Sequence, residues 1–338
     1  MKKVMIILCC CCSISSNDHS DTASLQMQVN PKTNQYLDFS LDKSIATEGE
    51  VISFVNMSVG FNSYKWDFGD GTISDAVNVE HKYNLENDYI IRLTAENDKF
   101  IEKCVKVLTP NNRWAYLVNF NTNNIDRAYD ESAFIVTSGG RVFRNASGIK
   151  EYYSGIKDTF NNVISLSTLG MKNERFSSSV KYEIGSFIIN NTKVYKHLII
   201  WRKIQGVFLR RFEIISPSDA LFSNVDFLVE RRIDWVKGSN SHNSKTFVAE
   251  LYTKDAFYYL HSQNYLAIGN EAVAIAYNYM NNSSWSIESL TPYHCEPIQS
   301  NLVFEIGVYN GIGGTGEYVL VWRKDIDGIW RVLFDSNY

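Results

Sequence analysis

The chain contains the stretch Tyr129-Asp-Glu-Ser-Ala-Phe134, and the same 338-residue sequence contains a second version of it, Tyr252-Thr-Lys-Asp-Ala-Phe257. Further phrases recur in the same order, and the offset between the two versions stays between 121 and 123 residues. These phrases are Glu183-Ile-Gly185 with Glu305-Ile-Gly307, Trp201-Arg-Lys203 with Trp322-Arg-Lys324, and Gly206 and Glu213 with Gly328 and Asp335. A repeat of this length is a whole domain, because solenoid units are much shorter. The sequence therefore predicts one duplicated domain, with copies over residues 110–216 and 217–338.

Bulk composition excludes several classes of protein. Hydrophobic residues make up 45% of the chain and charged residues 21%, which is typical of a folded globular protein rather than a disordered one. The net charge of -4 argues against a nucleic-acid partner, because phosphates demand a basic surface. No apolar run approaches the roughly 20 residues that a membrane-spanning helix needs. We therefore expect neither nucleic-acid binding nor a spanning helix.

Cofactor and metal motifs do not occur at the required spacings. The six His residues are scattered, and neither a His-Glu-x-x-His motif nor a Gly-x-Ser-x-Gly elbow is present. Gly311-Ile-Gly-Gly314 lies between two predicted strands, whereas a phosphate cradle precedes a helix. Tyr293-His-Cys-Glu296 gathers three types of metal ligand, but neighbours on a strand point to opposite faces. The sequence therefore predicts no bound cofactor and no metal.

The N-terminus combines an export signal with a candidate lipid attachment site. Met1-Lys-Lys-Val-Met-Ile-Ile-Leu8 is a positively charged segment followed by a short apolar one, as in a secretory signal. It continues into four consecutive cysteines, and Leu8-Cys9-Cys10-Cys11 resembles the bacterial lipoprotein box with Cys11 as the acylated residue. Cys10 and Cys12 fit nearly as well, and a membrane-proximal thiol or metal tract is the alternative.

This interpretation divides the N-terminal region in two. We expect a signal peptide over residues 1–11 and a flexible Ser/Asn/Asp-rich tether over residues 12–35. The protein is then exported and anchored by lipid in the bacterial cell envelope, at the outer membrane or the cell surface. Only Cys104 and Cys295 lie outside the cysteine cluster, so a disulfide framework is not indicated.

Residues 37–109 show short alternating strands separated by turn residues, the pattern of an all-β sandwich. Within them lies Tyr64-Lys-Trp-Asp-Phe-Gly-Asp-Gly71, followed by His81-Lys-Tyr83. This string resembles the PKD (polycystic kidney disease) domain, whose hallmark is Trp-x-Phe-Gly-Asp-Gly followed by His-x-Tyr. The resemblance implies an Ig-like sandwich over residues 36–109 that acts as an extracellular spacer or a weak contact module.

Each residue type in this signature has a structural reason. The two aromatic residues point to the same face of a strand and can be buried together. The two aspartates can accept hydrogen bonds from turn amides, and the two glycines permit positive φ. Calcium binding is the alternative for the aspartates, although a calcium site gathers six or more oxygens. The signature consists of Trp66, Asp67, Phe68, Gly69, Asp70 and Gly71.

Both copies show the same order of patterns. Helical spacing comes first, over about residues 114–129 in the first copy, and Ser216-Pro-Ser-Asp219 predicts the helix start of the second copy. A strand, a turn, a short strand, another helix and four longer alternating strands follow. The later helices are predicted at 147 to about 160 and 270 to about 280, and the final hairpins at Gln205-Gly206 and Asp327-Gly328.

This order of elements resembles the NTF2-like (SnoaL/ketosteroid-isomerase type) cone, an α+β fold with a curved antiparallel sheet. The second copy carries the phrases of this group at residues 251–256, 305–307, 316–324 and 328–335. The first copy is looser, since Ser132 replaces Asp255 and Phe208 replaces Trp330. The superfold hosts enzymes, binders and adaptors, so the resemblance implies a fold and not one function.

The resemblance implies a mostly apolar pocket with a few polar groups inside each cone. The acids repeated in both copies, together with nearby aromatic residues, are the candidates for lining it. The predicted pocket residues are Glu183, Trp201, Glu213, Tyr259, Tyr293, Glu305, Trp322 and Asp335. In isomerases of this fold a pocket acid shuttles a proton while another group stabilises the enolate. For that alternative, the second copy offers Glu305, Asp335 and His261, with Tyr259 and Tyr293 beside them.

A purely structural interpretation stands beside these candidates. Strand acids that face Arg202, Lys203, Arg323 or Lys324 across the ladder would be ordinary cross-strand pairs. The strand Trp residues would then be core aromatics. We expect the pairs Arg210-Arg211 and Arg231-Arg232 to lie on solvated faces.

The leading interpretation is a non-catalytic, lipid-anchored binding protein, in which a PKD spacer carries two NTF2-like domains. Its partner would be a small apolar ligand, a glycan or an envelope protein. One alternative is an isomerase- or dehydratase-type enzyme that uses the second pocket, and another is a structural or glycan-adhesion protein with Trp285 and Tyr293 as an exposed platform. Since NTF2-like domains commonly pair sheet to sheet, the tandem is predicted to form an internal pseudo-dimer.

Overall fold

The structure is a computed structural model of the chain, and it describes residues 35–159, 166–175, 179–219 and 222–337. The predicted signal peptide, nearly all of the predicted tether and Cys11 lie outside the described residues. The described chain splits into two compact units, one made of residues 35–44, 51–81 and 88–106 and the other of residues 45–50, 82–87 and 107–337. Across the described residues, no helix combines the length and apolarity needed to cross a bilayer.

Residues 36–109 form an all-β sandwich, as predicted. One sheet has the strand order β1-β3-β6 and the other β2-β8-β7-β4-β5. A short 3-10 turn at Glu96–Asp98 connects β7 and β8. The strands are β1 (Phe39–Leu41), β2 (Ile45–Thr47), β3 (Val51–Asn56), β4 (Tyr64–Asp67), β5 (Ile73–Ser74), β6 (Val79–Lys82), β7 (Asn87–Ala95) and β8 (Phe100–Leu108).

The signature of this unit forms its core and one turn. Trp66 and Phe68 are buried and stack with planes 7° apart, as expected for alternate residues of a strand. Asp67 accepts a hydrogen bond from the Gly69 amide at 2.9 Å. Asp70 accepts one from the Thr72 amide at 3.0 Å and lies 2.7 Å from His81 Nε2. The aspartates therefore fix a turn, in which Gly69 and Gly71 have positive φ.

The two copies repeat one set of elements in the second unit. In the first copy the 3-10 segment Thr122–Ala128 continues the opening helix, so the predicted helix over 114–129 is two shorter elements. The first copy comprises α1 (Pro110–Phe120), β9 (Tyr129–Thr137), β10 (Val142–Arg144), α2 (Asn145–Thr159), β11 (Leu166–Arg175), β12 (Val180–Ile189), β13 (Lys193–Ile204) and β14 (Val207–Pro217).

The second copy has one further helix at its start. It comprises α3 (Leu228–Ser239), α4 (Ser244–Leu251), β15 (Tyr252–Leu260), β16 (Tyr265–Ile268), α5 (Asn270–Ala276), β17 (Ile287–Gln299), β18 (Leu302–Gly311), β19 (Gly314–Lys324) and β20 (Trp330–Asn337). The predicted helix start at Ser216–Asp219 is wrong. Pro217 instead ends β14 and pairs with Tyr195 of β13, so the chain stays extended there and α3 begins at Leu228.

Each copy folds into a six-stranded sheet, with the orders β10-β9-β14-β13-β12-β11 and β16-β15-β20-β19-β18-β17. All neighbours are antiparallel except one parallel pair in each sheet, β9 with β14 and β15 with β20. Register shifts occur at equivalent places, Ile200/Trp201 and Val321/Trp322. Such bulges bend a strand, as the predicted curved sheets require.

Both faces of each sheet are covered, as the alternation of the strands shows. In β9, Ala133 and Ile135 pack on the helices of the first copy, whereas Phe134 and Val136 join a different core. That second core is shared, because it also contains residues of the other sheet such as Phe304 and Phe334. The outer faces of the two sheets therefore pack against each other, and each inner face packs on its own helices.

Candidate functional site

Two acids lie inside each copy, on opposite sides of one aliphatic residue. In the first copy Ile199 of β13 pairs with Glu183 on one side and Glu213 on the other. Leu320 of β19 likewise separates Glu305 from Asp335. Residues directly opposite one another on adjacent strands point to the same face, here the inner one. All four acids are at most 1% exposed.

The repeated Glu-Ile-Gly phrase has a steric reason. Gly185 and Gly307 lie directly across the ladder from His197 and Tyr318. A Cβ at Gly185 would lie 2.5 Å from His197 Nε2, and one at Gly307 would lie 2.6 Å from the Tyr318 hydroxyl. Glycine therefore lets a ring lie against the neighbouring strand and extend into the interior beside the acids.

One hydrogen bond to each acid is repeated in both copies. Trp201 Nε1 donates to Glu183 at 3.0 Å, and Trp322 Nε1 donates to Glu305 at 2.9 Å. At the second acid, the Tyr129 hydroxyl donates to Glu213 at 2.5 Å and the Tyr252 hydroxyl to Asp335 at 2.6 Å. The recurrence of the Trp and Tyr positions in the sequence thus reflects recurrent contacts to buried carboxylates.

In the first copy, an arginine and a histidine contact Glu213. Arg210 Nη1 lies 2.5 Å from its carboxylate, and His197 Nδ1 lies 2.6 Å from the same oxygen. Burial opposes ionisation of Glu213, but the charge of Arg210 and the hydrogen bonds from His197 and Tyr129 outweigh burial and lower its pKa to about 2. Glu213 is therefore an ionised, internally neutralised acid.

Arg210 also links Glu213 to Glu183. Its Nη2 donates to Asn111 Oδ1 at 2.7 Å, and Asn111 Nδ2 donates to Glu183 at 2.8 Å. The guanidinium lies over the Trp114 ring, with its central carbon 3.9 Å from the ring centroid. One internal cation in the first copy therefore sits between an aromatic face and a carboxylate.

In the second copy, the buried arginine pairs with the first acid, Glu305, and not with Asp335. Arg232 donates to both oxygens of Glu305, at 2.9 and 3.0 Å. The Tyr318 hydroxyl donates to Glu305 at 2.8 Å, and the Cys295 thiol lies 3.5 Å away. Charge pairing and hydrogen bonds therefore fix Glu305 as the partner of Arg232.

Asp335 has a different environment. Its described hydrogen bonds come from two tyrosine hydroxyls, Tyr252 at 2.6 Å and Tyr277 at 2.5 Å. Among the residues that the structure describes, no Lys, Arg or His forms an ion pair with Asp335. Burial raises its pKa to about 6, since the two hydroxyl hydrogen bonds offset only part of the cost of burial.

The difference between the copies comes from two substituted positions. In the first copy, Arg210 is paired with Tyr129 on one neighbouring strand and with Trp201 on the other. In the second copy, Val332 occupies the equivalent position between Tyr252 and Trp322. Conversely, Asn111 of α1 and Arg232 of α3 each donate to the first acid of their copy. The arginine thus lies on the last strand in the first copy and on the first long helix in the second.

A cavity of about 190 Å³ adjoins Asp335 in the second copy. Its walls are mostly aromatic and aliphatic, and Asp335 is the only acid among them. The indole nitrogen of Trp285 is buried and has no hydrogen-bond partner within the described part of the chain. The lining residues are Trp235, Tyr279, Met280, Trp285, Ile287, Leu290, Tyr309, Tyr318, Leu320, Asp335 and Asn337.

The other predicted site residues lie elsewhere. Tyr259 belongs to the core shared by the two sheets and accepts a hydrogen bond from Arg211 Nε at 2.9 Å. His261 Nε2 lies 2.9 Å from the Tyr182 hydroxyl, and burial, with the charges of Arg211 and Arg202, lowers the pKa of His261 to about 4. Tyr293 is 53% exposed. The structure therefore does not bring these three together with Glu305.

The prediction that the two Arg-Arg pairs lie on solvated faces is wrong for three of the four residues. Arg210, Arg211 and Arg232 are buried, not solvated, and two of them are the counter-charges of the predicted acids. They were missed because Arg-Arg pairs are typical of exposed surfaces, and because sheets covered on both faces also bury alternate charged residues. The anticipated cross-strand partners of the acids are not their partners, and Arg323 instead pairs with Asp255.

Within the described ranges, no group of three or more His, Cys, Asp or Glu side chains is placed so that it could hold a metal ion. His294 pairs with Glu296 at 3.0 Å, whereas Cys295 between them contacts Glu305. The two neighbours of Cys295 therefore point away from it, as the alternation of a strand requires. Trp285 of the proposed aromatic platform lines the cavity beside Asp335.

Residues 36–109 match the family model of the PKD domain. No curated protein matches the chain. A solved NTF2-like protein from Cytophaga hutchinsonii is 16% identical, with a TM-score of 0.28, over 34% of this chain and 98% of that one.

Two further solved structures are similar over the same share of this chain. A domain of unknown function with a cystatin-like fold, from Nostoc punctiforme, is 14% identical, with a TM-score of 0.30, over 34% of this chain and 78% of that one. A candidate scytalone dehydratase from Novosphingobium aromaticivorans is 11% identical, with a TM-score of 0.29, over 34% and 84%. At these identities and TM-scores, the similarity does not indicate an activity for this chain. The chain thus carries a PKD domain at residues 36–109, followed by two α+β domains that share one strand order, the arrangement expected of the NTF2-like fold.

Proposed function

We propose that this chain is a non-catalytic binding protein whose second NTF2-like domain holds a small ligand in the cavity beside Asp335. The observation that carries the proposal is a largely apolar cavity of about 190 Å³ with one acid in its wall. For scale, an apolar cavity of roughly 150 Å³ in another protein accommodates benzene. The ligand is therefore about one ring or a short branched group in size.

The arrangement of the acids favours binding over catalysis. A proton-transfer enzyme needs an acid or base and a separate stabilising group, both within reach of the substrate. Glu305 is occupied by Arg232, Tyr318 and Trp322, and it is not part of the cavity wall. Of the two acids of this copy, only Asp335 lines the cavity, where it can orient a ligand.

The test is a thermal-shift and calorimetric screen of the whole chain with small aromatic and branched aliphatic compounds. Leu290→Trp places a large ring in the half-buried cavity wall and is expected to abolish binding. Ile312→Trp is the matched control, because Ile312 is 72% exposed and outside the cavity lining. Equal binding by both variants contradicts the proposed site.

The second candidate function is an isomerase- or dehydratase-type enzyme. The observation that favours it is the raised pKa of Asp335, about 6, since catalytic acids and bases are often tuned in this way. Any ligand found in the screen is incubated with the protein in D₂O, and exchange or conversion is followed by NMR. Turnover that Asp335→Asn abolishes favours the enzyme, whereas an unchanged ligand favours the binder.

The cellular setting is proposed on sequence grounds. The signal and the lipoprotein box support export and acylation at Cys11, with the PKD domain as a spacer from the membrane. Metabolic labelling with an alkyne fatty acid tests this in the native host. Loss of label in Cys11→Ser alone supports the assignment, whereas loss in Cys10→Ser or Cys12→Ser alone moves the site. An unlabelled wild-type protein contradicts lipid anchoring.

A further inference from the structure

We propose that the second cavity takes a small organic cation, a protonated or methylated amine, whose positive charge lies beside Asp335. The inference rests on the proposed binding function and names the class of its ligand. It is carried by the comparison of the two copies, by the aromatic character of the cavity and by the missing counter-charge of one buried acid.

The first copy shows how this fold satisfies a buried acid at this position. Glu213 is neutralised there by Arg210 and hydrogen-bonded by His197, whose pKa is lowered by burial, with both groups within 2.6 Å. The corresponding residues of the second copy are Val332 and Tyr318, and the Tyr318 hydroxyl donates to Glu305 instead. The second copy therefore has an acid at this position but neither the arginine nor the histidine beside it.

The surroundings suit a cation from outside the chain. In the first copy the Arg210 guanidinium lies over Trp114 while it contacts the carboxylate. Trp235, the counterpart of Trp114 on the first long helix, lines the cavity of the second copy. Four more rings line the same cavity, those of Tyr279, Trp285, Tyr309 and Tyr318. Aromatic faces attract ammonium groups, and such cages hold methylated ammonium ligands in other proteins.

The electrostatics point in the same direction. An ionised carboxylate buried without a counter-charge is costly, so burial raises the pKa of Asp335 to about 6. The acid at the same position in the first copy, Glu213, lies beside Arg210 and His197 and has a pKa of about 2. A bound cation would do for Asp335 what Arg210 does for Glu213. Binding should therefore weaken as the pH falls below about 6 and the acid becomes protonated.

The other ionisable groups around Asp335 do not supply that charge. Tyr252 of β15 and Tyr277 at the end of α5 donate to it, and burial raises the pKa of both well above the usual value, so they stay neutral. The pKa of Tyr279 is raised to about 12, mainly by burial. The charge of Arg232 is balanced by Glu305. Beyond these, Glu317 lies near Tyr309, and His242 contacts the Met280 carbonyl at 3.1 Å.

The cavity also implies a second polar group on the ligand. The Trp285 indole nitrogen is a donor without a partner among the described residues. A hydroxyl or carbonyl oxygen on the ligand would accept from it. An amino alcohol or an arylalkylamine with an oxygen substituent combines both features within the available volume.

The test uses the whole chain with choline and 2-phenylethylamine as probes, measured by calorimetry at pH 8. Their neutral counterparts, 3,3-dimethylbutan-1-ol and 2-phenylethanol, have nearly the same shapes. We expect each cation to bind at least about tenfold more tightly than its counterpart. Cation affinity should fall by up to about tenfold per pH unit below pH 6, while that of the alcohols stays constant. His242→Asn should leave this pH profile unchanged.

Two variants separate charge from shape. Asp335→Asn keeps the size of the side chain and should lose the preference for cations, while Asp255→Asn removes a surface carboxylate and should retain it. Val332→Arg supplies the internal cation of the first copy and should also abolish cation binding in a folded protein. Tighter binding of the neutral probes overturns the cation assignment but leaves the binding function standing. Failure of all four probes to bind overturns the cation assignment as well, and a negative small-molecule screen would then remove the binding function with it.

Discussion

Phe212 of β14 stacks on Phe334 of β20, with ring centroids 4.2 Å apart and ring planes 11° apart. The two residues occupy equivalent positions of the two copies, since each pairs with the Phe of the repeated opening strand, Phe134 or Phe257. Equivalent residues meet one another only near a two-fold axis. We infer that the tandem is an internal pseudo-dimer, in which the linker replaces the association of separate subunits.

This inference predicts a large effect of Phe334→Ala. Phe334 is fully buried in the shared core, so truncation should lower the free energy of unfolding by about 3–5 kcal/mol. Phe120→Ala is the control, since Phe120 is 57% exposed and should cost roughly 0.5 kcal/mol or less. Urea denaturation of the whole chain measures both, and the two copies should unfold in one transition. Separate transitions for the copies, only one of them shifted, would argue against the pseudo-dimer.

The Arg232–Glu305 pair should be costly to break but replaceable as a unit. Arg232→Met leaves Glu305 buried without a counter-charge and should lower the free energy of unfolding by about 3–5 kcal/mol. The double variant Arg232→Met/Glu305→Leu should recover most of that loss, because no charge remains buried. The exposed pair Arg92–Glu102 serves as the control, where Arg92→Met should cost about 0–1 kcal/mol. A double-mutant cycle without coupling at Arg232–Glu305 would show that the contact is unimportant.

Glu213 should contribute acid-sensitive stability. Its pKa in the folded protein, about 2, lies below the ordinary value of 4.5, so its contribution is complete above about pH 4.5 and is lost as the pH falls toward 2. Glu213→Gln should therefore destabilise the protein by a few kcal/mol at pH 7, with a difference that narrows in acid. Denaturation of both proteins at pH 7, 4 and 3 measures this, and a constant difference would contradict the assignment.

Asp335 should have the opposite pH dependence. Its pKa in the folded protein, about 6, lies above the ordinary value of 3.8, so the folded protein binds the proton more tightly than the unfolded chain does. Its effect on stability therefore becomes unfavourable as the pH rises from about 4 to 6. Asp335→Asn removes this dependence. The free energy of unfolding of the variant, measured relative to wild type, should therefore be higher at pH 7 than at pH 4, by up to a few kcal/mol. Parallel stability profiles of wild type and variant from pH 4 to 7 would show that Asp335 titrates normally.

Much of the architecture could be predicted because it depends on local patterns. The Trp66 signature, the alternation of Ala133 to Val136 and the Gln205-Gly206 turn each specify their structure within a few residues. Pro217 marks the limit of this reasoning. Its capping pattern is favourable for a helix, but pairing with Tyr195 keeps the strand extended, and that pairing depends on a residue of another strand.

The candidate site could be predicted only in part. The four acids and their Trp partners stood out because they recur in both copies, and the structure places all four in the interior. Tyr252 and Tyr277 were not recognised as partners of Asp335, although Tyr252 belongs to the repeated phrase. Their contact depends on residues 58 or more positions apart, and local periodicity carries no information about it.

The sequence by itself determined the duplication, the fold of each module and the identity of the buried acids, because repetition and periodicity are properties of neighbouring residues. The tertiary structure alone decided which acid in each copy pairs with a buried arginine. Arg210 and Arg232 lie in similar Arg-Arg pairs, yet one reaches the last-strand acid from its own strand and the other reaches Glu305 from a helix. Whether a buried charge is neutralised depends on distances of a few ångströms between distant segments, and only the packed fold sets those distances.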